Sequence, residues 1–295
     1  MNKLKKIYKL FDSKKILVTG GAGFIGSNLI KSLASNSRSK IYSIDNYFTG
    51  SKVNHIEGVK YIHDEAKNIN KYFRKIKFDY IFHLGEYSRV EESFNDIDKV
   101  IEFNLNSFYQ ILKFTKKNKA KLIYSGSSTK FGEYIDADNG SPYSWVKYSN
   151  TEFLKKFAAW YDIKYAITYF YNVYGIGEIS HGKYSTVIGK FLRLKKNNFK
   201  SLPITSPGTQ KRNFTHIQDI INGLLIVAIK GKGDGYGIGS NKSYSIIQIA
   251  NMLNMKYHLT KSKKGNRLSS ILKVTKTKKL GWNPKINLTD YLKNY

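Results

Sequence analysis

Apolar and polar positions along the chain alternate between two rhythms. Short β-prone apolar runs fall at residues 15–19, 40–44, 79–84, 121–125 and 165–170, with a weaker one at 59–62. Between them the apolar residues recur every three or four positions. Leu29, Ile30 and Leu33 do so, as do Ile69, Tyr72, Phe73 and Ile76. Val100, Ile101, Leu105, Phe108, Ile111 and Leu112 mark a helix over about 91–117. Phe153, Leu154, Phe157 and Ala158 mark another over about 143–161. The first rhythm is that of strands buried on both faces, the second that of helices with one apolar stripe. Their alternation predicts an α/β fold, a doubly wound parallel sheet with helices on both sides. Beyond Asn172 the alternation loosens: 173–209 mixes loop and helix, 211–230 reads as strand then helix, and 236–295 holds only short pieces.

The first strand runs straight into Gly20, Gly21, Gly23 and Gly26, and a helical pattern follows at once. Spaced glycines let the backbone turn tightly, approach a pyrophosphate and pack the next helix close to the strand. Phe24, Ile25 and Gly26 then stand at a helix N-terminus, where free N–H groups and the positive dipole end favour phosphate. Asp45 lies nineteen residues beyond Gly26, at the end of the second strand. Its carboxylate can accept both hydroxyls of an adenosine ribose and would repel a 2′-phosphate, which favours NAD over NADP. Asp64 reads either as reaching the adenine edge or as a turn residue. The large unit is therefore expected to be a Rossmann-type NAD-binding domain over residues 1–172, with 210–235 returning to it. Residues 173–209 and 236–295 are expected to form a smaller, discontinuous substrate-binding lobe across a cleft.

Composition narrows the classes further. The chain has 295 residues, 41% hydrophobic and 24% charged, as in ordinary globular proteins. No apolar run approaches the ~18 residues of a membrane helix, and residues 1–12 lack the apolar core of a secretory signal. A cytoplasmic location and no membrane partner are the resulting expectations. The absence of cysteine excludes thiol chemistry and disulfides. A net charge of +29, from 50 Lys and Arg against 21 Asp and Glu, would suit nucleic acid. The lysines are scattered in pairs along the whole length with no nucleic-acid-binding motif, so compositional drift is the preferred reading and an anionic substrate the expected beneficiary.

Tyr143 and Lys147 stand four apart at the head of the long helix, on one face. A cation there lowers the phenol pKa from its free value of about 10, and the phenolate can then serve as a general base. Before them, Tyr124 to Thr129 carries a strand end into a hydroxyl-rich loop, the edge at which parallel sheets hold reacting ligands.

With these residues in order, the chain resembles the extended short-chain dehydrogenase/reductases, in their NAD-dependent nucleotide-sugar epimerase/dehydratase branch. The resemblance is carried by Thr19 to Gly26, Asp45-Asn46, Phe82-His83-Leu84, Asn104, Ser127, Tyr143 with Lys147, and Tyr171 to Gly175. It continues through Arg212, Asn213 and Phe214 with His216 and Asp219, then Gly237 to Gly239, Arg267, and Leu280-Gly281-Trp282. It implies Ser127, Tyr143 and Lys147 as catalytic, with Asn46, Leu84, Asn104, Tyr143 and Lys147 joining the NAD site, Lys147 on the nicotinamide ribose, and no metal required. Ser88, Arg89, Ser127, Ser128, Thr129, Asn172, Arg212 and Arg267 would bind a nucleotide sugar, Asn172, Arg212 and Arg267 holding its diphosphate and Ser88 and Arg89 lying beside the sugar or cofactor phosphates. A homodimer through the helices at about 91–117 and 143–161 is implied by analogy.

The resemblance also separates chemistries. The 4,6-dehydratases carry Asp and Glu directly after the catalytic hydroxyl residue, and sugar-acid decarboxylases keep the Glu; here Ser128 and Thr129 stand there. The expected activity is a 4-epimerase for a UDP-hexose or UDP-N-acetylhexosamine, through a transient 4-keto sugar, with Tyr143 as base. The alternatives are a 4,6-dehydratase or 4-reductase and, in another class, a non-catalytic NAD- or RNA-binding protein. Glu86, where a small residue is usual, and Lys130, where an apolar one is usual, depart from the pattern. A Lys130 side chain facing inward would alter sugar preference.

Overall fold

Alternate residues of the apolar runs bury on opposite sides of one sheet, as a sheet covered on both faces demands. The computed structural model describes residues 3–131, 140–262, 264–265 and 271–295. In chain order its elements begin α1 (Lys3–Lys9), β1 (Lys15–Thr19), α2 (Phe24–Asn36), β2 (Lys40–Asp45), β3 (Lys60–His63), α3 (Ile69–Phe73) and β4 (Tyr80–His83). Next come α4 (Ile97–Val100), α5 (Ser107–Asn118), β5 (Lys121–Ser127), α6 (Pro142–Tyr161) and β6 (Tyr165–Phe170). The remainder is β7 (Val173–Tyr174), α7 (Val187–Lys196), β8 (Ser201–Thr205), β9 (Lys211–Arg212), β10 (Thr215–His216), α8 (Ile217–Lys230) and β11 (Gly233–Ile238). The last elements are β12 (Tyr244–Ser245), α9 (Ile246–Met252), β13 (Lys256–Thr260), α10 (Thr275–Lys279) and α11 (Leu288–Leu292).

Seven strands form the central sheet in the order β11-β6-β5-β4-β1-β2-β3, each pair parallel. This is the expected Rossmann-type doubly wound sheet. Ile16, Val18, Phe82, Ile123 and Ile238 face α1, α2 and α8. Leu17, Ile44, Ile81, Leu122 and Ile167 face α3, α5 and α6. The basic N-terminal stretch thus contributes a helix of its own, with Ile7, Tyr8 and Phe11 in the first core. Strand order reverses between β1 and β4, so the connections leaving them diverge and open a crevice at the strands' carboxyl ends.

The helix expected over 91–117 is not continuous. A 3₁₀ turn (Glu91–Phe94) and α4 lead into a π-helical stretch, Ile101–Asn106, before α5. The widened turn presents Asn104 inward, where it is fully buried. Its Oδ1 accepts the Tyr87 amide at 2.6 Å and its Nδ2 donates to the Tyr87 carbonyl at 3.0 Å. Apolar spacing alone could not reveal this, because the same residues fit an unbroken helix.

The smaller lobe has its own core, built from Tyr174, Ile188, Phe191, Leu202, Phe214, Ile249 and Leu288 among others. Its boundaries differ from those expected. Residues 211–216 belong with it, since β9 pairs with β12 and β10 with β7. Residues 236–238 belong instead to the large sheet, on the edge strand β11. Trp282 also leaves the lobe and packs into the first core. Its indole N–H donates to the Asp219 carbonyl at 2.9 Å, while Asp219 Oδ2 accepts the Lys285 and Ile286 amides, each at 2.9 Å.

Candidate active site

The carboxyl ends of β1, β2, β4, β5 and β6 open onto a cleft of about 510 Å³. Its floor is the glycine turn. Gly20 has φ +71°, a left-handed conformation that side chains rarely adopt. The α2 N-terminus at Gly23 has neither a side-chain cap nor an acid in its first turn, so nothing on the helix itself competes with an anion there. Gly20, Gly23, Phe24, Ile25 and Gly26 all line the cleft, with Asp45, Asn46 and Leu84 beside them.

Asp45 is 6% exposed. Its Oδ2 accepts the Ala22 amide at 2.8 Å and its Oδ1 the Tyr47 amide at 2.7 Å. Burial pushes its carboxyl up, against the pull of the Tyr47, Ala22 and Gly23 amides. Three amides leave lone-pair capacity on the carboxylate, so the group remains able to accept from a ribose hydroxyl. The glycine cradle, the uncapped helix end and this carboxylate together fit NAD.

Asp64 does not reach the cleft; Glu65 and Ala66 line it instead. Asp64 Oδ1 accepts Asn68 Nδ2, and its Oδ2 accepts the Tyr72 hydroxyl, both at 2.7 Å. These two bonds hold its carboxyl down at about 2. Being lowered on folding, it contributes stability that is full above an ordinary carboxylate pKa near ~4 and is lost as pH falls through about 2. Asp64→Asn is therefore expected to flatten the acid side of the stability curve, read by urea unfolding between those pH values. An unchanged curve would refute the assignment. Asn104 does not line the cleft either; it ties down the Tyr87 backbone.

The residues expected to carry the chemistry come together. Ser127, Ser128, Thr129, Tyr143 and Lys147 all line the cleft. Ser141 caps α6 by accepting the Ser144 amide at 3.1 Å, and Pro142 follows in the first turn. These two start the helix just where Tyr143 must face the sheet edge. Tyr143 packs among Tyr87, Val100 and Val146. The Thr129 hydroxyl donates to Ser127 Oγ at 2.9 Å and so orients it. Lys147 is 4% exposed and donates to the Ser125 carbonyl and to Glu86, which is itself 3% exposed.

Ser88 and Arg89 stand at the cleft wall, with the Arg89 guanidinium bound to the Tyr184 carbonyl and to Ser88. Asn172 lines the cleft with φ +32°, and its carbonyl accepts the Thr215 amide at 3.2 Å, joining the large sheet to the lobe. Arg212 sits on β9 in the lobe and does not line the cleft. Arg267 lies outside the described residues. Lys130 turns away, ion-paired with Asp234 at 2.8 Å and Glu152 at 3.1 Å, so it does not touch the sugar pocket. Sequence reasoning missed Phe48, Lys183 and the segment from Ser185 to Ile188, all of which line the cleft. Only the Thr186 cap of α7, accepting the Gly189 amide at 3.1 Å, leaves a local mark in the sequence.

Known proteins resemble this chain in sequence and fold. A model of the NAD dependent epimerase/dehydratase family matches residues 16–239. A protein of Methanocaldococcus jannaschii, named provisionally as a UDP-glucose 4-epimerase, is 29% identical, covering 94% of this chain and 96% of that one. The dTDP-D-glucose 4,6-dehydratase of Homo sapiens is 27% identical over 93% of this chain and 86% of its own. The solved UDP-glucose 4-epimerase of Thermotoga maritima, bound to UDP-glucose, superposes with a TM-score of 0.88 at 26% identity, covering 95% and 96% of the two chains. The family match runs from the first strand of the large sheet to the last. It makes NAD the cofactor and this chain a member of the NAD-dependent epimerase/dehydratase family.

Proposed function

We propose that the protein is a nucleotide-sugar 4-epimerase acting on a UDP-hexose or its N-acetyl form. The observation that carries this reading is the turn after Ser127. Ser128 and Thr129 follow it, Thr129 spends its hydroxyl on Ser127, and no carboxylate stands there to remove water from a sugar. NAD, when bound, supplies reversible oxidation at C4. Tyr143 takes the 4-hydroxyl proton at its phenolic oxygen and later returns it. Ser127 Oγ, held by Thr129, is oriented to hydrogen-bond the same sugar oxygen. Lys147 presents its ammonium from the first turns of α6. Positioning supplies most of the rate, because each group is held before the sugar arrives.

The lobe is read as the part that holds the nucleotide, with Arg212 within it and Asn172 at its junction with the sheet. Tyr109, Trp145 and Trp160 are exposed on α5 and α6, and these helices are read as the contact of a homodimer. No helix among the described residues is long and apolar enough to cross a membrane.

An NMR time course on UDP-glucose, UDP-galactose and their N-acetyl forms tests the proposal. The 4-epimer is expected to accumulate to an equilibrium mixture without added cofactor. The likeness to the Homo sapiens dTDP-D-glucose 4,6-dehydratase keeps one second reading in view. A 4-keto-6-deoxy product would establish it, and steady consumption of added NADH would indicate a 4-reductase.

A further inference from the structure

Glu86 is a buried carboxylate in the cleft wall that the epimerase reading leaves without a task. Every neighbouring element turns a polar group toward it. From α6, Lys147 Nζ forms an ion pair with Oε2, and Asn150 Nδ2 lies 3.4 Å from Oε1. From β5, the Tyr124 hydroxyl donates to Oε1 at 3.3 Å. From β4, His83 Nε2 lies 3.6 Å from Oε1. The tautomer of that ring follows from β1. Thr19 Oγ1 accepts the Leu84 and Gly85 amides at 3.2 and 3.0 Å, so its own proton goes to His83 Nδ1 at 2.7 Å. The ring proton then sits on Nε2 and faces Glu86. Burial opposes ionisation of Glu86, but Lys147 and His83 outweigh it and hold its carboxyl below the usual range.

The Lys147 ammonium is thereby fixed on three sides. Glu86 and the Ser125 carbonyl accept from it, and the Tyr124 ring lies beneath it at 4.6 Å from the centroid. Without Glu86 the cation would stand in an almost water-free pocket with one carbonyl and one aromatic face, a setting that favours the neutral amine. We propose that Glu86 is a positioning residue, the buried counter-ion that keeps Lys147 charged and aimed into the cleft through the working pH range. The inference rests on the reading of Tyr143 and Lys147 as the catalytic pair. Its consequence is specific: Glu86 sets the alkaline limit of turnover.

The test compares wild type, Glu86→Gln and Glu86→Asp, each carrying its bound NAD. In Glu86→Gln the alkaline fall in kcat is expected at lower pH, by about one unit or more, with Glu86→Asp restoring most of the wild-type profile. Lysine side-chain NMR is expected to show Lys147 losing its proton over the same lowered range, its signal identified by disappearance in Lys147→Met. A purely structural Glu86 would lower kcat equally at every pH and leave the Lys147 titration unmoved; either result overturns the proposal. Should Glu86→Gln fail to fold, the double variant Glu86→Gln/Lys147→Gln decides, because removing both charges is expected to restore folding. A double variant no more stable than the single one would also overturn it. The NMR titration needs no turnover, so it stands or falls apart from the identity of the base.

Discussion

Tyr143→Phe is expected to lose turnover by a factor of about 100 to 10,000, the range carried by a single positioned acid–base group, while NAD stays bound. The variant is clean because of where the ring sits. Tyr143 packs against Tyr87, Val100 and Val146, and phenylalanine keeps those contacts. The α6 N-terminus is fixed by Ser141 and Pro142, neither of which depends on the phenol. The glycines and Asp45 that would hold the adenosine and pyrophosphate of NAD stand on the β1–α2 turn and at the end of β2, not on α6. Purified variant should therefore carry wild-type amounts of NAD and unfold at the wild-type temperature. Near-normal epimerisation would remove Tyr143 from the mechanism, and loss of NAD would mean that the phenol serves binding instead.

Gly26→Ala is expected to act at the other end and through backbone alone. A Cβ at this position would lie 2.1 Å from the Gly20 carbonyl oxygen and 2.8 Å from both the Gly20 carbonyl carbon and the Gly21 Cα. None of these is a flexible side-chain tip. Nor can α2 retreat, since Leu29, Ile30 and Leu33 on the same helix are fully buried in the core. The turn must open instead, which pulls its amides away from the pyrophosphate. The cost to stability is about 1–3 kcal/mol, and NAD content is expected to fall steeply. Both are measurable on one preparation, by denaturant unfolding and by cofactor release. Full occupancy with unchanged stability would show that the turn tolerates a methyl group and that the close approach has no energetic weight.

Local signals made much of this legible from sequence. The strands of the sheet announce themselves as apolar runs because both faces are covered. The glycine turn and Asp45 are legible because a tight turn and a strand-end acid leave few alternatives. Tyr143 and Lys147 are legible through a spacing of four at the head of a long helical pattern. What stayed hidden was set by partners distant in the chain. Asp64 looked available but is occupied by Asn68 and Tyr72. Asn104 looked like a cofactor ligand but serves the Tyr87 backbone, through a π-helical turn with no compositional mark. Glu86 could acquire a meaning only once β4, β5 and α6 were brought side by side.

The path of the chain between the two cores has a consequence for how the molecule is made. After leaving the large sheet at β6 the chain builds β7 to β10, returns for α8 and β11, leaves again for β12 to β13, and returns once more with Trp282. During synthesis the large core is therefore missing its edge strand until residue 238 has emerged, and its last tryptophan until residue 282. Earlier nascent chains hold the β6 edge unpaired and the face beneath Trp282 open, the condition in which chaperones bind and strands mispair. Neither half can be released by a single cut. The large core is therefore completed only after the lobe segments between residues 173 and 282 have been made.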